Sequence, residues 1–171
     1  GISPIEAENI DPQERLFLES AWATLEDAGY TRKRLTGEKR TDVGVYAGAT
    51  TFTYQSLGMD EWQRGNKVMP TSSPWSIANR VSYVMNFNGP SIPVDTACSA
   101  SLTAVHLACE SLRNRECRMA IAGGVNLYLH PSKYVLMCRT RMLSPTGKCY
   151  TFGGKSDGFV PGEGVGTVLL K

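Results

Sequence analysis

The sequence predicts an α/β fold with a largely parallel sheet. Short runs of small and β-branched residues (VGVYAGA, RMAIAGGV, GVGTVLLK) read as buried strands. Stretches of helical periodicity separate them, and strands that alternate with helices pair in parallel through helical crossovers. The chain has 171 residues, 42% apolar and 20% charged. That composition suits one globular domain and excludes disordered, collagenous and fibrous classes.

Residues 11 to 28 read as an amphipathic helix. Leu16, Phe17, Ala21, Trp22, Leu25 and Ala28 recur at helical spacing, and Glu14, Arg15, Glu19 and Glu26 take the other positions. Asp11 and Pro12 supply an N-cap and first turn, and Gly29 a stop. Arg32 to Asp42 is polar and turn-like, and Val43 to Ala49 is a short strand packed closely on both faces. From Thr50 to Pro70, Gly58, Gly65 and Pro70 punctuate a long loop with one short helix, a kind of segment that often carries function. Ser73 and Pro74 open a helix through Met85, which Asn88, Gly89 and Pro90 end. Ser91 to Ala97 is a strand that Pro93 places at an edge or interface.

Cys98 to Arg115 has almost nothing polar until its end. Ala100, Leu102, Ala104, Val105, Leu107, Ala108 and Leu112 cover most of the circumference, which predicts a helix buried on nearly all sides. Arg118 to Val125 is a strand, Pro131 to Arg139 a helix, and Gly164 to Lys171 a strand with no following element to cover it. The chain opens on a loop and helix without a strand, which is the pattern of a piece of a larger domain. Internal repeats, low-complexity tracts and linkers are not evident.

Eighteen Lys and Arg against sixteen Asp and Glu leave a net charge of +2, scattered along the chain. Nucleic acid and acidic membrane surfaces lose their electrostatic argument. No apolar run approaches the roughly 20 residues of a membrane span, and GISPIEAENIDPQ lacks the order of a signal peptide. Five cysteines, at 98, 109, 117, 138 and 149, include no CxxC pair, so neither a zinc ribbon nor a disulfide framework is indicated. A reducing cytoplasm is the expected compartment.

The sharpest chemical feature is the junction PSIPVDTACSASLTAV. A strand delivers Cys98 to the first turn of a small-residue helix, where unpaired N–H groups and the helix dipole favour negative charge. That setting suits a thiolate nucleophile, and the same N–H groups can hold the oxyanion formed at a thioester carbonyl. Ala97, Ser99, Ala100 and Ser101 leave room for a substrate. The competing reading makes Cys98 a packed thiol, the role assigned to Cys109, Cys117, Cys138 and Cys149. His106 lies roughly 12 Å along the same helix from Cys98 and reads as a core or interface residue. His130, before Pro131, reads as a surface or helix-entry residue. Asp95 is expected to bond nearby backbone N–H groups. The glycines of DGFVPGEGVG enter a strand, so they serve turns and close packing and are not a phosphate cradle. Neither a G-x-S-x-G elbow nor an HExxH pair occurs.

DTACSASL closely resembles the active-site motif of β-ketoacyl synthases, particularly the ketosynthase domains of bacterial modular polyketide synthases. DPQERLFLESAWATLEDAGY resembles the helix that typifies these domains. VGVYAGA, ANRVSYVMNFNGPS, AIAGGVNL, MLSPTGKC and DGFVPGEGVG follow in family order, so the resemblance covers essentially the whole chain. It implies a thiolase-like αβαβα fold, of which residues 1–171 would be an incomplete N-terminal and middle portion, and a homodimer meeting near Pro93. It implies that Cys98 is the acyl-accepting nucleophile, its backbone N–H half of an oxyanion hole. The family's two histidines, in motifs resembling HGTGT and a lysine-containing NIGH, and its second oxyanion donor are expected beyond residue 171. His106 and His130 match neither motif. Ala23, Ala100, Gly153 and Gly154 depart from the usual pattern without touching the nucleophile.

The implied reaction loads an acyl chain from a carrier-protein or coenzyme A thioester onto Cys98. It then condenses that chain decarboxylatively with a malonyl-type extender on an acyl carrier protein. No metal or redox cofactor is implied, since phosphopantetheine arrives on the carrier protein as part of the substrate. The alternatives are a non-elongating acyl-transfer domain and a non-catalytic ketosynthase-like binding module, with an unrelated cysteine hydrolase further off. Residues 1–171 alone are expected to be inactive and unstable, because the terminal strand and apolar helix would expose surface that a second half should cover.

Overall fold

The computed structural model describes residues 2–31, 35 and 41–171. Helices α1 (Pro4–Asn9) and α2 (Pro12–Asp27) precede strand β1 (Val43–Gly48). Then come α3 (Tyr54–Gln63), α4 (Pro74–Met85) and β2 (Ser91–Val94). A 3₁₀ turn, Ala97–Ser99, leads into α5 (Ala100–Arg113), followed by β3 (Met119–Asn126), α6 (Ser132–Arg139) and β4 (Gly164–Leu170). The polar 32–42 segment read as turn-like lies mostly outside the described residues.

The strands form one four-stranded sheet in the order β2-β1-β3-β4. β2, β1 and β3 run parallel, and β4 pairs antiparallel with β3 from Ala120↔Leu170 to Asn126↔Gly164. β2 lies at an edge of the sheet, as Pro93 predicts. The period of two along β1 splits its side chains between two cores. Val43, Val45 and Ala47 pack with Phe17, Ala21 and Leu25 of α2 and Ile77, Ala78 and Val81 of α4. Tyr46 packs with Ala104 and Ala108 of α5, Ala120, Ala122 and Cys117. Helices on both faces leave every residue of β1 buried, the environment of a parallel strand.

Tyr46 carries a titration consequence. Burial is the main cause holding its hydroxyl above the ordinary 10.0; a hydrogen bond with Ser111 opposes the shift, and Cys117 and Glu116 add to it. The unfolded chain therefore ionises Tyr46 first. This contribution to stability is complete below pH 10.0 and is lost as the pH climbs through the folded value. Tyr46→Phe is expected to flatten the alkaline limb of a plot of denaturation midpoint against pH, and an unchanged limb would count against this assignment.

Asp11 caps α2 by accepting the Gln13 N–H at 2.9 Å, and Gly29, at φ +75°, follows its end. The two faces of α2 differ from expectation. Trp22 and Ala28 are exposed, whereas Gln13 and Glu14 are buried. The buried positions 13, 17, 21 and 25 follow a spacing of four, so the stripe facing the sheet starts on Gln13. α5 departs further from the burial on nearly all sides that its composition predicts. Only Ala100, Ala104, Ala108 and Ser111 are buried, Leu102 is 75% exposed and His106 is exposed. Among the described residues the sheet covers α5 on one side, and its other face meets solvent.

Candidate active site

After Val94 the chain turns through Asp95, Thr96 and Ala97 to Cys98 at the C-terminal edge of the parallel strands, where α/β proteins place their sites. Ala97 has φ +53°, a left-handed conformation that costs an L-residue about 1–3 kcal/mol. Its surroundings hold it there. The Ala97 N–H donates to Asp95 Oδ1 at 3.1 Å, and Thr50 Oγ1, two residues beyond β1, donates to the same oxygen at 2.9 Å. Ser99 Oγ donates to the Thr96 carbonyl at 2.8 Å, and the Thr96 and Thr103 hydroxyls meet at 2.9 Å. Asp95 thus binds backbone, as the sequence predicts, and makes the turn rigid.

Glycines seat the helix that follows. Gly48 and Gly124 are paired neighbours on β1 and β3. A Cβ on Gly48 would stand 2.7 Å from both the Ala100 carbonyl carbon and the Ser101 nitrogen, and one on Gly124 2.8 Å from Ser101 Cβ. The first turn of α5 therefore rests on bare backbone. The exposed Cys98 stands at its mouth.

Cys98 lines a cavity of about 860 Å³. The ends of β1 and β3 with the elbow form one wall, and Leu136, Met137 and Thr140, from α6 and the residue after it, form another. Phe159 and β4 complete the lining. Phe159 is held by two backbone bonds, its N–H to Met142 O at 3.0 Å and its carbonyl accepting the Ser144 N–H at 3.0 Å. Ser144 Oγ in turn donates to Asp157 Oδ1 at 2.7 Å. Gly158 is the close-packed glycine of this loop, since its Cβ would stand 2.5 Å from Ser144 N, whereas Gly162, Gly164 and Gly166 face open space.

The other candidate residues do not join the elbow. His106 is exposed on α5, not a core residue. His130 performs the helix-entry role: Nδ1 accepts the Ser132 N–H at 3.2 Å and lies 2.8 Å from Ser132 Oγ, while Nε2 is 3.4 Å from Asp60 Oδ2 on α3. Cys117 is buried with its sulfur 3.5 Å from Ser111 Oγ, and Cys109 is half-buried. Cys138 and Cys149 are exposed, so neither is the packed thiol predicted. Cys138 lies on the outer side of the short helix α6, and Cys149 in a surface loop accepts the Val160 N–H at 3.0 Å. Among the described residues no cluster of three or more His, Cys, Asp or Glu side chains could hold a metal ion. Two contributors escaped the sequence reading, Thr50 in the elbow and Gln13 beneath it.

A strained strand-to-helix turn thus presents an exposed cysteine to a large cavity at the C-terminal edge of an α/β sheet. The family model for the N-terminal domain of β-ketoacyl synthases matches residues 1–171, and the chain belongs to this family. It is similar to polyketide synthase PksL of Bacillus subtilis, 54% identical over 175 residues that cover 99% of this chain and 4% of that protein. Polyketide synthase ThaG of Burkholderia thailandensis is 51% identical over 99% of the chain and 3% of its own length. Among solved structures, an oxazolomycin ketosynthase domain from Streptomyces albus superposes with a TM-score of 0.92 at 50% identity, covering 99% of this chain and 30% of that one. The ketosynthase from module 6 of the bacillaene synthase of Bacillus subtilis gives 0.87 at 44% identity, over 100% and 28%. The fold is accordingly thiolase-like α/β, and the chain spans a small part of the relatives it matches.

Proposed function

We propose that the parent protein is a β-ketoacyl synthase of polyketide biosynthesis and that Cys98 is its acyl-accepting nucleophile. The observation that carries this reading is the presentation of Cys98, exposed on a rigid elbow at the mouth of the 860 Å³ cavity. The Cys98 thiolate attacks the carbonyl of an acyl thioester. A carbon–sulfur bond forms, the pantetheine sulfur leaves and takes a proton, and the Cys98 N–H stabilises the oxyanion between. A malonyl-type thioester on an acyl carrier protein then loses carbon dioxide. The electron pair of the broken carbon–carbon bond becomes a carbanion that attacks the acyl-enzyme carbonyl. Release of the Cys98 thiolate gives a β-ketoacyl thioester.

His106 and His130 take no part, one being exposed on α5 and the other engaged at the entry to α6. Family resemblance assigns proton transfer to histidines downstream of residue 171. No cofactor is required beyond the phosphopantetheine of the substrate. The working assembly is a cytoplasmic homodimer that meets along the edge strand carrying Pro93. Among the described residues no helix is long and apolar enough to cross a membrane. Residues 1–171 alone are inactive in this reading, because one face of α5 lacks cover. A cooperatively folding polypeptide of that length with condensing activity would overturn that.

The test is intact mass and peptide mapping after mixing the full-length parent with a short acyl-pantetheine thioester. A single acyl adduct on Cys98, absent from Cys98→Ala, is the expected result. A folded parent without that adduct would point to a non-catalytic binding module, and an adduct without elongation on adding a malonyl-carrier substrate to a non-elongating transfer domain.

A further inference from the structure

We propose that Gln13 is a positioning residue for Cys98, acting through the loop that follows β1; the proposal rests on the reading of Cys98 as nucleophile. Gln13 is 0% exposed, and its amide joins the ends of two strands. Nε2 donates to the Thr51 carbonyl at 2.6 Å and reaches Asp11 Oδ2 at 3.4 Å, and Oε1 accepts the Leu127 N–H at 3.0 Å. Thr51 lies three residues past β1 and Leu127 directly follows β3. A buried amide leaves none of its bonds unmade without a large desolvation penalty, so each partner is held in place.

The consequence reaches Cys98 in three steps. Gln13 fixes the peptide of Thr51. The neighbouring Thr50 hydroxyl is thereby aimed at Asp95 Oδ1, 2.9 Å away. The same oxygen accepts the Ala97 N–H and keeps Ala97 at φ +53°. A left-handed alanine persists only where its surroundings over-determine it. Loss of the Gln13 bond therefore loosens the one backbone conformation that aims Cys98 into the cavity. The second arm acts on the same wall, at the end of β3. Leu127 follows Asn126, which lines the cavity and donates to the Gly162 carbonyl at 3.0 Å. Gln13 thus fixes the spacing of the β1 and β3 ends within that wall while touching neither substrate nor sulfur.

The test uses the full-length parent and compares Gln13→Glu, Thr50→Val and the double variant for acylation of Cys98 by a short acyl-pantetheine thioester. Glutamate can still accept from Leu127 N–H but, ionised, cannot donate to Thr51 O. Thr50 is exposed, so valine there breaks the relay without disturbing the core. Each single variant is expected to acylate about tenfold to a hundredfold more slowly, with the thioester KM within about twofold of wild type. The double variant is expected to be no slower than the slower single one, as a shared pathway requires. A merely structural Gln13 would lower the melting temperature and leave the acylation rate of the folded protein unchanged. That outcome, or fully additive effects, overturns the proposal. If Gln13→Glu does not fold, Thr50→Val decides alone: wild-type acylation overturns the relay, and slow acylation at unchanged KM supports it. A folded wild-type parent that takes no acyl group on Cys98 overturns the nucleophile reading, and this proposal with it. An acylated wild type beside two equally fast variants overturns this proposal only.

Discussion

Adding one methyl group at Gly48 is expected to slow acylation of Cys98 about a hundredfold, the effect of displacing a reacting group by roughly 1 Å. The new Cβ would stand 2.7 Å from Ala100 C and Ser101 N, and ordinary contact begins at 3.4 Å. Both atoms are backbone in the first turn of α5, so no side-chain rotation relieves the clash. The turn must lift off β1 by most of an ångström, and Cys98, two residues earlier, moves with it. Gly124→Ala is expected to cost less, because its nearest contact is the single carbon of Ser101 Cβ at 2.8 Å. Gly154→Ala, whose Cβ meets nothing within 4 Å, is the control. Acylation kinetics of the three variants in the full-length parent supply the check. A Gly48→Ala protein that acylates as fast as Gly154→Ala would show that the seating of α5 does not set the position of Cys98.

The parts of the fold governed by local chemistry are visible in the residue order. α4 opens at Pro74 and ends at Met85 as its cap and breaker residues predict, with Asn86 in the left-handed conformation that terminates it. The strand around VGVYAGA and the edge position of β2 follow from small residues and from Pro93. The placement of Cys98 between strand and helix is equally plain, because the strand-to-helix switch falls within DTACSASL. Distant parts of the chain decide what was misread. Glu14 looks like the solvent face of α2 until Ser76 and Arg80 are brought against it, and Gln13 shows its role only once Thr51 and Leu127 meet its amide. A spacing of four from Gln13 through Phe17, Ala21 and Leu25 was the available signal, masked by the polarity of the side chain. The left-handed Ala97 left no signal, since alanine does not advertise positive φ. Its cause is Asp95 with Thr50, whose sequence separation is 45 residues. The apolar circumference of α5 predicts burial on nearly all sides, yet hydrophobicity states only that a face can be covered.

Arg80→Met is expected to destabilise the domain by about 3–5 kcal/mol, the usual effect of stranding a buried charge. Glu14 is 2% exposed and Arg80 20%; Arg80 Nε donates to Glu14 Oε1 at 2.6 Å and Nη1 to Glu6 Oε1 at 2.7 Å. Ser76 Oγ also donates to Glu14. Burial alone would make Arg80 easier to deprotonate, but the bonds to Glu14 and then Glu6 outweigh it and hold the guanidinium above its ordinary range. The pair links α2 to α4, and therefore supports both Gln13 and the helix that leads into β2. Methionine keeps much of the bulk of arginine, so the loss would report the unpaired Glu14 carboxylate more than a cavity. Combining Arg80→Met with Glu14→Leu is accordingly expected to recover a substantial part of the stability, since no charge is then left buried. Denaturant titration of the full-length parent, read by peptide-mapped labelling of the buried Cys117 with a thiol reagent, reports unfolding of this domain through the core on the other face of the sheet. A double variant less stable than Arg80→Met by the full value of Glu14→Leu alone would show that the two side chains contribute independently, and that the ion pair is not what joins α2 to α4.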